Sequence, residues 1–435
     1  MRRSGAVLSA AAMLAAIFAA APVRAPAAGA QTGISVISED ARNEFPAGVS
    51  FDISLASAMA PKEARLVYKV APDGTGAAAV ADCTGAGTVT CTYTLTSGRG
   101  IFIIPGAEIT YHWEVQAGGG GTASTEDRLY VHEDTRFIFQ MLEQDNITLY
   151  YHAGSASQAQ AVLSAAADTI AKVGALEQTQ VTFPVKVFLY STADEMQPAI
   201  APGGQGRGVQ VLGEVVYSDT AMVSADVATL DITRHEVAHI VTREATKGPY
   251  DVPGWLNEGI SVYSQARPLE GHDAALQAAI RADRVLSMRE LNSSATGSSS
   301  STVGLYYGQS GSIVKYLVDT YGADKFALLL RTFKDGSTPD KAFQAAYGLD
   351  QLGVENGWRA SVGLAARTAS ATATPGATEQ ARSNATPAGR ATAAPSQTTS
   401  SGGGSTLTIA IIVALAVLVL AAAGGAIWVV RRRVG

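Results

Sequence analysis

The chain has 435 residues, 47% of them apolar, and carries 32 basic and 38 acidic side chains for a net charge of −6. This length points to more than one folded unit. Without a long block of either charge sign there is no electrostatic footprint for nucleic acid, which is excluded as a partner.

The first 30 residues read as a secretory signal. Met1-Arg2-Arg3 is a basic head, Ala6 to Ala21 a short apolar stretch, and Ala28-Gly29-Ala30 a small-residue cleavage site. An N-terminal anchor is the alternative, but about 15 apolar residues fall short of the ~20 that span a bilayer.

Residues 33–132 show short alternating segments: Val49 to Leu55, Leu66 to Val70 and Ile109 to Val115, separated by turn clusters such as Pro72-Asp73-Gly74 and Pro105-Gly106. Period-two alternation between turns predicts an all-β, immunoglobulin-like sandwich. It holds no catalytic constellation. The chain's two cysteines, Cys83 and Cys91, lie here with Gly85 and Gly87 between them. In an exported segment this spacing predicts a disulfide across a hairpin, and two cysteines are too few for a structural zinc site.

From residue 134 to 365 helix and strand patterns mix. Ala156 to Val173 is Ala-rich and helical, and Val185 to Tyr190 is a short apolar run followed by a helix start, as expected of a buried strand and its successor. Gly203-Gly204-Gln205-Gly206-Arg207-Gly208 lacks the Lys-Ser/Thr ending of a phosphate loop and does not match the dinucleotide fingerprint, so it reads as a flexible connection.

The chemistry concentrates in Asp231-Ile-Thr-Arg-His235-Glu236-Val-Ala-His239. With Asp231 or Thr229 as cap and Gly248-Pro249 as terminator, this HExxH stretch is a helix. Residues four apart share a helix face, so both imidazoles can reach one zinc ion, while Glu236 can reach water at the metal. Pro253-Gly-Trp-Leu-Asn-Glu258-Gly starts a second helix and supplies a carboxylate. Two His and one Glu leave a fourth zinc position open, as a catalytic site requires.

HExxH followed after eighteen residues by the Glu of Trp255-Leu-Asn-Glu258-Gly resembles the aminopeptidase-N-like gluzincins and the bacterial peptidase MA-like domains. The likeness continues through Gly304-Leu-Tyr-Tyr307-Gly-Gln-Ser310 and Gly336-Ser-Thr-Pro to Trp358-Arg359. It implies an α+β zincin-like fold, one zinc ion per chain held by His235, His239 and Glu258, Glu236 as general base, and a tyrosine that stabilises the oxyanion. Tyr307 matches that tyrosine best, with Tyr306 the neighbouring alternative. The aminopeptidases carry a Gly-x-Met-Glu-Asn motif for the substrate's free amine. Val209 to Ser224 contains Glu214 and Asp219 but no such pattern, which favours an endopeptidase.

The remaining histidines, His112, His132, His152 and His272, read as ordinary surface or packed residues, with His272 in a Gly-Asp loop. Residues 366–405 are Ala, Thr, Ser, Pro and Gly with almost no apolar bulk, a disordered stalk. Residues 406–430 form an uncharged apolar run and 431–435 begin with three arginines. This pattern predicts a transmembrane helix with its end in the cytoplasm and the body of the chain outside the cell. The resulting expectation is a single-pass, membrane-anchored extracellular zinc metallopeptidase acting on peptide or protein substrates. The alternative is a surface binding or sensory protein whose peptidase-like domain has lost turnover.

Overall fold

The computed structural model describes residues 34–368, apart from 58, 73, 75, 99–100, 201–212, 226–227, 268 and 293–299, together with residues 410–411. The expected signal segment, the cytoplasmic tail, the Gly203–Gly208 connection and nearly all of the stalk and membrane run lie outside the described residues. Among the described residues no helix is long and apolar enough to cross a membrane.

Eight strands come first: β1 (Ile34–Asn43), β2 (Gly48–Ser57), β3 (Glu63–Ala71), β4 (Gly76–Val80), β5 (Asp82–Thr96), β6 (Glu108–Gln116), β7 (Thr122–Ser124) and β8 (Arg128–Val131). They make two antiparallel sheets, β1-β2-β5 and β4-β3-β6-β7, with β8 also paired to β6. The alternation in the sequence is the reason. Val49, Phe51, Ile53 and Leu55 of β2 are fully buried while Asp52 and Ser54 between them are less so, and Phe51 meets Tyr111 of the other sheet with ring centroids 4.6 Å apart. Gly85 and Gly87 take φ of +106° and +80°, conformations that suit glycine, and Cys83 is bonded to Cys91 as the spacing predicted.

The second unit is built on a mixed sheet. Its elements are β9 (Gln140–Gln144), β10 (Ile147–Tyr151), α1 (Ala156–Glu177), β11 (Val185–Tyr190), α2 (Ala193–Met196), β12 (Gly213–Tyr217), β13 (Thr220–Ser224), α3 (Thr229–Thr246), α4 (Gly254–Ser264), α5 (Glu270–Arg281), α6 (Met288–Leu291), α7 (Ser300–Tyr321), α8 (Ala323–Lys334), α9 (Pro339–Tyr347) and α10 (Gln351–Ser361). Strand order is β12-β13-β11-β10-β9, with β10, β11 and β13 parallel and both outer strands antiparallel. Beyond β12 a two-residue strand, β14 (Ala410–Ile411), pairs antiparallel with Gly213 and Glu214. These two residues fall within the expected membrane helix and here are strand. Helix α1 opens where expected, Ser155 accepting from the Gln158 amide, and runs on past Val173 to Glu177 before Gln178 turns into a left-handed conformation.

Both faces of this sheet are dry. Val185, Val187, Leu189, Ala221 and Val223 pack with α1, α3 and the later helices, whereas Phe188, Tyr190 and Met222, pointing the other way, join the core of the β-sandwich. The sandwich is therefore seated on the back of the mixed sheet with a shared apolar core. Lys186 Nζ adds polar contacts at the junction, 2.9 Å from the Gly106 carbonyl and 2.7 Å from Glu108 Oε1.

Candidate metal centre

Helix α3 starts at Thr229 behind Ala228, which is left-handed, and no side chain caps it. This corrects the expectation that Asp231 or Thr229 does so. Asp231 is drawn instead to Arg234 on the next turn, at 2.8 Å, and to the Ala266 amide after α4, at 2.7 Å. That link ties the beginning of α3 to the end of α4.

The two helices supply the three donors. His235 and His239 project from one face of α3, and Glu258 faces them from α4. Their ligand atoms all lie within 4.8 Å of one another. Glu258 Oε2 is 3.3 Å from His235 Nε2 and 3.5 Å from His239 Nε2. α4 comes this close to its neighbours because Gly259 has no side chain. A Cβ there would stand 2.6 Å from the Ser310 carbonyl oxygen of α7.

The imidazoles are oriented from behind. His239 Nδ1 is 3.0 Å from Asn257 Oδ1 and 3.1 Å from Ser261 Oγ. An amide oxygen only accepts, so the proton sits on Nδ1 and the lone pair on Nε2, a buried atom with no hydrogen-bond partner. His235 Nδ1 faces the Gln265 amide at 3.5 Å. Gln265 Oε1 has no partner, and turning that amide presents it as the acceptor for Nδ1–H, freeing Nε2 toward the centre. Two neutral imidazoles and one carboxylate are a donor set that suits zinc, and the orphaned Nε2 of His239 fits an ion between them.

Burial works against charge throughout the site. It pushes Glu258 up, but when His239 and His235 are protonated and turn an N–H toward it, their charge and hydrogen bonds outweigh burial and hold the carboxylate at about 2. Burial draws His235 down despite the Glu258 carboxylate. Glu236 is raised well above its ordinary value, by burial first and then by the charges of Glu258 and Glu214. Strand β12 presses onto α3 beside it: a Cβ on Gly213 would stand 2.6 Å from Glu236 Oε1.

Tyr307 lies on α7 with its ring centroid 6.1 Å from that of His235. Tyr306 meets it edge-on at 5.8 Å, and the Tyr306 hydroxyl is 3.3 Å from where a Gly254 Cβ would be. Burial, with the Glu258 charge added, raises the Tyr306 phenol. All the residues expected at the centre are thus brought together, Tyr306 included. Two carboxylates and one histidine add to what the sequence suggested. Glu214 on β12 is fully buried with both carboxylate oxygens unpartnered, and burial pushes it up to about 8. His272 belongs to helix α5 and not to a loop, and stacks on Tyr307. Glu177, at the end of α1, binds α3 through Thr242, on the face that carries His235 and His239 and about two turns beyond His235. Asn257 and Ser261, four residues apart on α4, share the face that meets His239, a pairing the sequence analysis did not draw.

Residues 165–364 match the family model described as the Peptidase MA superfamily. Among solved structures the chain is similar to the M1 zinc metallopeptidase from Deinococcus radiodurans, with 12% identity and a TM-score of 0.35 over 78% of this chain and 96% of that one. It is also similar to BhCBM56, with 15% identity and a TM-score of 0.14 over 21% of this chain and 99% of that one. No curated protein matches the chain.

Proposed function

We propose that this chain, which carries a Peptidase MA superfamily domain over residues 165–364, is a zinc-dependent metallopeptidase that cleaves within peptide chains. The observation that carries the reading is the convergence of His235, His239 and Glu258 within 4.8 Å, beside the buried Glu236. One zinc ion per chain would be held by those three side chains, and when bound it supplies Lewis acidity to the scissile carbonyl and to water.

The chain's own groups account for the proton and the charge. Glu236 accepts a proton from the attacking water and passes it to the leaving amine. Tyr307, beside His235, donates a hydrogen bond to the carbonyl oxygen as that atom gains negative charge. Asn257, Ser261 and Gln265 fix the imidazole rings, and the buried surroundings keep bulk water from competing.

Cleavage within chains is supported by the absence of a free-amine motif in Val209 to Ser224. Peptides with acetylated and free N-termini test it. An endopeptidase cleaves both. Loss of cleavage on acetylation would make the enzyme an exopeptidase and assign the amine to Glu214, the unpaired carboxyl next to Glu236.

Export and anchoring are supported by the basic, apolar and small-residue start of the chain, by the apolar sequence that follows Ile411 and runs up to Arg431-Arg432-Arg433, and by the Cys83–Cys91 bond, which suits an oxidising compartment. The experiment for the activity is zinc content and peptide hydrolysis of residues 31–368, wild type against Glu236→Gln. A zinc-loaded wild type without turnover would turn the reading toward a binding protein.

A further inference from the structure

Helix α5 crosses α7 at two glycines. A Cβ on Gly304 would stand 3.3 Å from the Gly271 carbonyl oxygen, and one on Gly308 would stand 2.4 Å from the His272 carbonyl oxygen. Any side chain at 308 would lever α5 away. Because position 308 has none, His272 reaches inward and lies flat on Tyr307, with ring centroids 5.1 Å apart and planes 12° from parallel. Tyr307 in turn neighbours His235, so His272 stands one aromatic ring away from the metal centre.

His272 is 2% exposed, and neither Nδ1 nor Nε2 has a hydrogen-bond partner. Burial, reinforced by the neighbouring His235 and only partly offset by Glu258, brings its pKa down to about 4, so the ring is neutral near pH 7 and offers one N–H and one lone pair. A buried polar group without a partner costs free energy, and a phenylalanine would pack against Tyr307 without that cost. The nitrogens are the feature that packing leaves unexplained.

We propose that His272 is a substrate-binding residue, whose imidazole N–H donates to a backbone carbonyl oxygen of the bound peptide on the α5 side of Tyr307. The inference rests on the peptidase reading above. A backbone carbonyl is offered by every residue of a peptide, so the contact anchors substrates regardless of their side chains. It forms equally in the ground and transition states, which distinguishes it from the role given to Tyr307.

The test is His272→Phe, which keeps the stacked ring and removes both nitrogens, set beside His272→Gln, which keeps a donor. Zinc content should equal that of the wild type in both. With several peptides of unrelated sequence, His272→Phe should raise KM about tenfold with kcat little changed, the loss of one ordinary hydrogen bond, and His272→Gln should recover part of it. Peptide affinity measured calorimetrically in a Glu236→Gln background should fall by the same factor. An unchanged KM and affinity, or a fall in kcat at constant KM, would overturn the proposal. Should His272→Phe fail to fold, His272→Gln against His272→Leu carries the comparison. If the wild type hydrolyses nothing, the peptidase reading fails by itself. The calorimetric arm then decides His272 alone, equal affinities with and without the imidazole overturning its role.

Discussion

Thr242 Oγ1 on α3 donates to Glu177 Oε1 on α1 at 2.7 Å, and both side chains are sealed from solvent. The HExxH helix is thereby fastened about two turns beyond His235, on the face that carries both imidazoles, by a carboxyl whose other oxygen has no partner. Burial pushes Glu177 up to about 8, only partly countered by the Thr242 hydroxyl.

A folded-state pKa above the unfolded value means that the folded protein keeps a proton the unfolded chain releases. The contribution of Glu177 to stability is full below about pH 4.5 and is lost as pH rises through about 8. Thermal melts from pH 5 to 9 should show the wild type losing stability toward alkaline pH. Glu177→Gln should flatten that slope and be the more stable protein at pH 9, by on the order of 1–4 kcal/mol. Parallel pH curves for the two proteins would show that the carboxyl is not buried as described.

Alanine at His235, His239 or Glu258 should each abolish retention of zinc through gel filtration, because each removes one of three donors. Glu236→Gln should retain the metal and lose at least ~10²-fold in turnover, the lower end of what a positioned general base contributes. Metal analysis and hydrolysis assays on the same preparations check both halves.

Tyr307→Phe should keep fold and zinc and lose on the order of 10²-fold in kcat, with a smaller change in KM, since the hydrogen bond it removes strengthens in the transition state. Tyr306→Phe should be the milder change. The reverse ranking in steady-state kinetics would move the donor one residue toward the N-terminus of α7.

Gly259→Ala tests the approach of α4 to α7. The added methyl would stand 2.6 Å from the Ser310 carbonyl oxygen and 2.8 Å from Val314 Cγ2, so the helices must separate. The expected loss is about 1–3 kcal/mol in denaturant titrations, with weaker zinc retention because Glu258 moves with the helix.

Deleting residues 31–132 should yield an insoluble or aggregating product. Phe188, Tyr190 and Met222, all buried against the sandwich core, would be uncovered on the back of the mixed sheet. A soluble, zinc-binding fragment would show that this face is not held as described.

The residues that converge at the candidate centre were the most legible in the sequence. His235, His239 and Glu236 follow from helical spacing, and Glu258 sits on the helix that follows, so local geometry decides them. The β-strands of the sandwich were readable for the same reason, with buried positions such as Phe51 and Ile53 recurring every second residue. The partners that meet only through the fold left no such periodicity. Glu177 and Thr242 are 65 positions apart, and nothing near either announces the other. His272 was hidden because Gly271 and Asp273 suggest a loop, whereas packing of α5 against Gly304 and Gly308 makes that stretch helical. The run of 185–190 gave a buried strand, but not that Phe188 and Tyr190 belong to another unit's core.

That shared core determines how the molecule comes apart. Phe188 and Tyr190 lie in one apolar cluster with Cys91, while Val187 and Leu189, alternating with them on the same strand, lie in the cluster that carries α3. Strand β11 cannot leave one cluster without leaving the other. Loss of order in the sandwich and loss of the His235, His239 and Glu258 cluster should then be a single cooperative transition. A protease that cuts the chain near Cys83, or a reductant that opens the Cys83–Cys91 bond, would thus disturb the candidate centre, whose residues lie more than 140 positions further along.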